Sequence, residues 1–476
     1  MPSGPGTPRT TSPRRCSAPL CTAESKRDPE ERRRMPSATT VCSNTMQRLL
    51  GVRTGAVLLL NRRWPRSVLL TVIVLVTTTL APLARAEPPA LTADEFLARF
   101  ERTDPRLEVL DARVQLARAG VTAARVLPNP SVAYDREEVF PSSGRLADNF
   151  VRLAWPVDVS GRRSLRTDAA ESGVQATRAE AAAERFGLSL EALGIYYDAA
   201  FARLRLETLH QGQTSLARLV EIVRKRASAG DASGYDLKRL DLERASYDDL
   251  VATAETELMS ARRRLGTLVG EANTRYDAAD RLSLPALPGS RALIVASALA
   301  GRDDYKATRF RSSQADGELA AARRAWVPAL ALTGGLKSTD LGMGDTAYGY
   351  VAGVAVSIPL FDNGQAEKER AVAGKRLALA ERRVLEQRVP DAARIAHEQL
   401  ERKLVQARRF ASGQLDKVDE LVRAAEVSYR EGERPSIFEL LDAYRVARDV
   451  RLRDLELRRN AKASEIDLWR ALGRRL

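Results

Sequence analysis

Cysteine occurs only at Cys16, Cys21 and Cys42 of the 476 residues, so nothing beyond position 42 can form a disulfide, a thiolate nucleophile or a Cys-based metal site. No cysteine follows the one apolar segment near the N-terminus either, which argues against an N-terminal lipid anchor. Histidine is scarcer still. His210 and His397 stand alone, outside any ligand-spaced cluster, and read as helix-surface or seam residues. No nucleophile elbow or phosphate-cradling glycine loop is present. The carboxylates are spread among arginines, as on solvated helix faces. No catalytic, cofactor-binding or metal-binding residue is assigned, and an enzyme is not expected. The one apolar core near the N-terminus, residues 68–76, is short of the ~20 residues needed to span a bilayer as a helix, which favours a cleaved segment over a membrane anchor.

The net charge of +14 is unevenly placed. Residues 1–86 hold 14 Lys and Arg against 4 Asp and Glu, which leaves 62 against 58 in the remainder. A protein that lives by neutralising phosphates keeps its positive field in the folded part, so no nucleic-acid partner is expected. Residues 1–45 are rich in Pro, Ser, Thr and Arg and read as a disordered extension, or as lying upstream of the true start at Met46. Residues 46–86 read as a secretory signal peptide. Arg48, Arg53, Arg62, Arg63 and Arg66 precede the uncharged stretch 67–84, and Ala84-Arg85-Ala86 supplies a small-x-small cleavage site.

At this length the chain should be multi-domain, elongated or repeated, and it is repeated. Pro156 and Pro359 lie 203 positions apart, as do Gly161 and Gly364, Leu265 and Leu468, and Gly270 and Gly473. Tyr235-Asp236-Leu237 and Phe438-Glu439-Leu440 keep the same offset, while Pro128 and Pro328 differ by 200. The expected organisation is a first repeat over 87–272, a linker over 273–290 marked by Pro285, Pro288 and Gly289, and a second repeat over 291–476. Each repeat reads as a helical stretch (91–126 and 292–326), two short strands (131–137 and 150–157; 329–337 and 348–358), a very long helix (from Gly161 to about 229; from Gly364 to about 430), a turn and a return helix.

The strands show period two. Tyr348, Tyr350, Val354, Val356 and Ile358 share one face, and their repeat counterparts Val151, Leu153 and Trp155 do likewise, opposite a small or polar face carrying Arg152, Ala154, Gly349 and Gly353. An apolar face with aromatic ends fits a membrane β-barrel; a half-buried strand of a soluble sandwich has the same pattern. Four strands cannot close such a barrel, so a membrane-inserted form must oligomerise. The long helices carry coiled-coil seams such as Leu193, Tyr197, Ala200 and Leu204, or Leu415, Val418, Val422 and Ala425. Pro390 falls inside the second of them and should kink or interrupt it.

Several junctions resemble those of the TolC-like outer-membrane efflux family. They are Leu127-Pro128-Asn129-Pro130, Trp155-Pro156-Val157-Asp158-Val159-Ser160-Gly161-Arg162-Arg163 and Ile358-Pro359-Leu360-Phe361-Asp362-Asn363-Gly364-Gln365. Glu431-Gly432-Glu433 with the following Ile437-Phe438-Glu439-Leu440-Leu441-Asp442 is similar to the family's helical turn. The Pro-Asn-Pro and Ser-Gly-Arg-Arg forms look most like the branch that serves heavy-metal pumps.

The resemblance implies a mainly α fold with a small β part, in which a homotrimer builds a 12-stranded outer-membrane β-barrel continuous with a long periplasmic α-helical barrel. It implies a passive exit duct for solutes, with heavy-metal cations favoured, in the outer membrane after signal cleavage near Ala86. The implied partners are a periplasmic adaptor, a proton-driven inner-membrane pump and outer-membrane lipid; no cofactor is implied. Arg226, Gly230, Asp231 and Ser233 in the first turn, and Arg430, Gly432, Arg434 and Ser436 in the second, are carried over as adaptor-facing or gate-adjacent. The alternative reading is a secreted or periplasmic coiled-coil scaffold, which accounts for the helices but not for the signal peptide, strands or repeat.

Overall fold

A computed structural model describes residues 88–142, 144–342, 344–431 and 436–476. The expected extension and signal peptide (1–45 and 46–86) lie outside the described residues, as do Gly432 and Arg434 of the second turn.

The chain begins with β1 (Ala90–Leu91), α1 (Ala93–Thr103) and α2 (Pro105–Arg125), followed by β2 (Ser131–Val139) and β3 (Leu146–Val157). Next come α3 (Arg162–Ser228), α4 (Gly234–Leu268) and β4 (Asp277–Ala278). The second half repeats the order with α5 (Arg291–Gly301), α6 (Asp303–Ala322), β5 (Ala329–Asp340), β6 (Thr346–Ser357), α7 (Gln365–Glu431) and α8 (Ile437–Leu472).

The two helical stretches expected to be continuous are each split in two. In the first, Asp104 takes an extended conformation ahead of Pro105, and its Oδ1 accepts the Arg106 N–H at 2.8 Å. The residue before a proline is pushed out of the α region, and Asp is a good N-cap, so one helix ends and the next starts at this residue. In the second, Arg302 is extended and pairs with Asp304, while its guanidinium also donates to the Ala471 carbonyl at 3.0 Å. Pro390 does not interrupt α7, which runs unbroken over 67 residues. The proline withholds one N–H from the ladder, but Val389 and Ala393 beside it are fully packed and hold the helix in place.

At 67 residues each, α3 and α7 extend for about 100 Å, several times an ordinary helix. Both start at a glycine with positive φ. At Gly364 (φ +80°) a Cβ would also lie 2.0 Å from the Cβ of Ala325, so only glycine allows the strand to turn into the helix against α6.

Along the helices the core is a series of separate clusters. Phe96, Phe100, Leu193, Tyr196 and Leu265 join α1, α3 and α4. The Tyr196 hydroxyl there donates to the Leu91 carbonyl at 2.8 Å, beside the short parallel pairing of β1 with β4. Leu400, Leu404, Ala461 and Leu468 form the matching cluster of the second half. A third cluster, around Val223, Leu240, Tyr429 and Leu440, lies next to the helix-reversing turns.

Candidate functional site

The four longer strands form one antiparallel sheet in the order β2-β3-β5-β6. Its register stacks the expected strand residues into cross-strand rows. Tyr134, Val151, Leu336 and Tyr350 make one row, Val132, Leu153, Gly334 and Ala352 the next, followed by Trp155, Leu332 and Val354, then Val157, Leu330 and Val356. Tyr348 continues this face toward the hairpins, opposite Ser338, and Ile358 lies one residue beyond β6. All eight expected residues are about half exposed or more, from 49% at Leu153 to 86% at Tyr350, so nothing among the described residues covers this face. Tyr134, Leu332 and Leu336 belong to it too, and only the register shows that.

The opposite face is polar. Lys337 Nζ lies 2.8 Å from Asp148, Arg152 lies 3.6 Å from Asp135, and the Phe150 ring sits beneath both cations at 4.7 Å (Arg152) and 5.1 Å (Lys337). β2 and β6 are the sheet edges, each with a row of backbone donors and acceptors that no strand among the described residues pairs.

At the far end of the long helices the first turn is built by its own sequence. Gly230 takes φ +87°, the Asp231 N–H donates to the Arg226 carbonyl at 2.8 Å, and Ser233 caps α4 in a reciprocal box with Asp236. Ser436 caps α8 through the Glu439 N–H at 3.4 Å. The Arg226 guanidinium donates to the Tyr429 carbonyl and lies over the Tyr429 ring, 5.2 Å from its centroid. Burial, the largest influence on Tyr429, pushes its hydroxyl pKa up, so the ring stays neutral beneath the arginine. Arg430 is half-exposed, 4.0 Å from Glu426, and lines a cavity of about 130 Å³ with Arg218, Tyr429 and Tyr444.

Two turn features were missed in the sequence. Tyr235 and Phe438 meet at 6.0 Å, and Arg239 lies over Phe438 at 4.4 Å. The signal for the first was the repeat, since Tyr235 and Phe438, like Arg226 and Tyr429, lie 203 positions apart.

His210 is a surface residue of α3, 4.0 Å from Glu255, and His397 is buried in a seam of α7 among Ala393, Ala396 and Leu400. Among the described residues no cluster of His, Cys, Asp or Glu has metal-holding geometry, and no helix is long and apolar enough to cross a membrane.

The sequence profile of the family described as "Outer membrane efflux protein" matches residues 99–271 and 294–474, most of the chain. The chain belongs to this outer membrane efflux family. Among relatives of this efflux protein, the cobalt-zinc-cadmium resistance protein CzcC of Cupriavidus metallidurans is 23% identical over 401 residues, covering 83% of this chain and 94% of that protein. The nickel-cobalt-cadmium resistance protein NccC of Alcaligenes xylosoxydans xylosoxydans is 25% identical over 322 residues, covering 66% of this chain and 69% of that one. Among solved structures, CusC, reported with its transmembrane channel formation, superposes with a TM-score of 0.65 at 18% identity, covering 82% of this chain and 94% of CusC.

Proposed function

We propose that the protein is the outer-membrane duct of a tripartite efflux system, closed by three identical copies, through which an inner-membrane pump discharges solute by way of a periplasmic adaptor. The observation that carries this is the sheet: one face apolar and uncovered, the other charged, with both edges open. In water such a sheet would be an aggregation hazard. Closed with copies of itself, it turns its apolar face to lipid and its Asp135, Asp148, Arg152 and Lys337 to an aqueous lumen. Tyr134, Tyr348 and Tyr350 then form one aromatic girdle and Trp155 belongs to the other. Four strands per copy make 12 in a trimer, within the range of such barrels. The helices support the same closure. α3 packs on α2, α4, α6 and α8, and α7 on α6 and α8. Exposed apolar residues remain on α2 and α4 (Val109, Leu116, Leu242, Met259) and on α7 (Leu377, Val384, Ile395, Val405) for neighbouring copies to cover.

In this reading the helical turns form the periplasmic tip. Arg226, Gly230, Asp231, Ser233, Arg430 and Ser436, with Gly432 and Arg434 beyond the described residues, are adaptor-facing or gate-adjacent. Arg226 ties the ends of α3 and α7 together. The chain spends no energy of its own and supplies only the path.

The solutes are heavy-metal cations, on the strength of the CzcC and NccC likeness alone. The test is deletion of the gene in its host, scored for growth on cobalt, zinc, cadmium and hydrophobic toxicants. Sensitivity to the cations, reversed by the intact gene, is the expected result. Sensitivity confined to organic toxicants would replace the substrate, and unchanged tolerance of every compound would contradict efflux.

A further inference from the structure

A cavity of about 520 Å³ lies where the sheet meets the helices, between the end of α2, the β3–α3 junction and the start of β5. Its upper wall includes Val157 and Leu330, the last row of the apolar face, continued by Val126, Pro128 and Val159. Val126 and Val159 are well exposed. Its lower wall is basic, with Arg162, Arg163 and Arg166 all in the lining.

The three arginines are not equivalent. Arg162 and Arg166 both reach Glu367 at the start of α7. Arg163 has no carboxylate partner among the described residues, and its Nη1 donates to the Arg125 carbonyl at 3.3 Å. Arg324, which donates to the Ser160 carbonyl at 3.2 Å beside the cavity, has none either. The one acidic side chain in the lining, Asp158, is already engaged by the Ser160 hydroxyl at 2.6 Å, by the Ser160 N–H at 2.9 Å and by the Arg163 N–H at 3.2 Å. Two guanidiniums therefore lie beside an apolar wall with much of their donor capacity unused.

We infer that this cavity is a binding site for an anionic phospholipid of the periplasmic leaflet, its phosphate taken by Arg163 and Arg324 and its first acyl methylenes lying on Val126, Val157, Val159 and Leu330. The inference rests on the membrane-spanning reading of the sheet, which places this junction at headgroup depth. Charge and shape favour a phosphodiester carrying acyl chains over free phosphate: guanidinium suits a phosphate, and the apolar wall has nothing to offer an inorganic ion. At the hairpin end of the sheet the arginines Arg136 and Arg145 are both paired with Glu138.

The test is lipid retention by the full-length, detergent-purified oligomer, read by native mass spectrometry after addition of phosphatidylglycerol or phosphatidylcholine. The intact protein should hold phosphatidylglycerol preferentially, against excess inorganic phosphate. R163Q/R324Q should bind it about tenfold more weakly, the equivalent of one charge-assisted hydrogen bond, with R163K between that variant and the parent. Equal retention of the two lipids, displacement by inorganic phosphate, or unchanged binding in both R163Q/R324Q and the single variant R163Q would overturn the site while leaving a membrane oligomer intact. A protein recovered without membrane or oligomer would instead bring down the duct reading, and this site with it.

Discussion

Asp104 shows how much one residue can decide. It ends α1, caps α2 and holds Arg106 at 2.8 Å, and its carboxyl pKa lies below the ordinary value chiefly because of the Arg106 side-chain hydrogen bond. A depressed folded-state pKa contributes stability that is present above the unfolded value of about 3.9 and is lost as pH falls through the folded value. Asp104→Asn keeps a capping oxygen and removes the charge. It should therefore lower the melting temperature at pH 7, with the gap to the parent closing as pH falls below the ordinary carboxylate range and through the depressed folded-state value; a gap that stays constant with pH would mean the charge is irrelevant. At the tip, Arg226→Ala removes the bond to the Tyr429 carbonyl and the cation above its ring. Single-channel recording in planar bilayers should then show a larger or more frequently open conductance with the oligomer intact. Unaltered conductance would remove Arg226 from the gate. Neither contact could be read locally. Tyr429 lies 203 residues from Arg226, and only the equivalence of the two halves brings them together.

Among the elements, the strands were the most legible, because a sheet with one apolar and one polar face imposes strict period two. The hairpins also show what a repeat offset cannot supply. Ser131 pairs with Ala154, and offsets of 200 and 203 would pair Ala331 with Ser357, yet Ser357 pairs with Ala329. A slip of two residues keeps every side chain on its face, so pattern alone does not detect it. The split at Arg302 was hidden for another reason. Gly301-Arg302-Asp303 contains no proline, and the break depends on contacts with the end of α8. Pro390 is the converse, a breaker overruled by packing. The two faces make a sharp prediction. Val354→Arg, on the apolar face, should destabilise the inserted protein by about 2–4 kcal/mol if it lies near the bilayer centre, and should reduce its amount in the outer membrane. Ala355→Arg, one residue away on the polar face, should insert normally and alter conductance. Equal effects would mean the faces are not lipid and lumen.

For the molecule as a whole, the open edges of β2 and β6 and the uncovered apolar rows have one economical solution, closure with copies of the same chain. A lone four-stranded sheet of this kind would leave its edge groups unpaired in lipid, which the bilayer does not tolerate. The architecture was legible in the sequence because the repeat fixed the element order. The cavity at the sheet–helix junction was not, since it draws on α2, α3 and β5 at once. The most direct measurement is the mass of the epitope-tagged protein after separation of inner and outer membranes and detergent extraction. The account predicts an outer-membrane trimer, and a soluble periplasmic monomer or dimer would contradict it and return the chain to a coiled-coil scaffold.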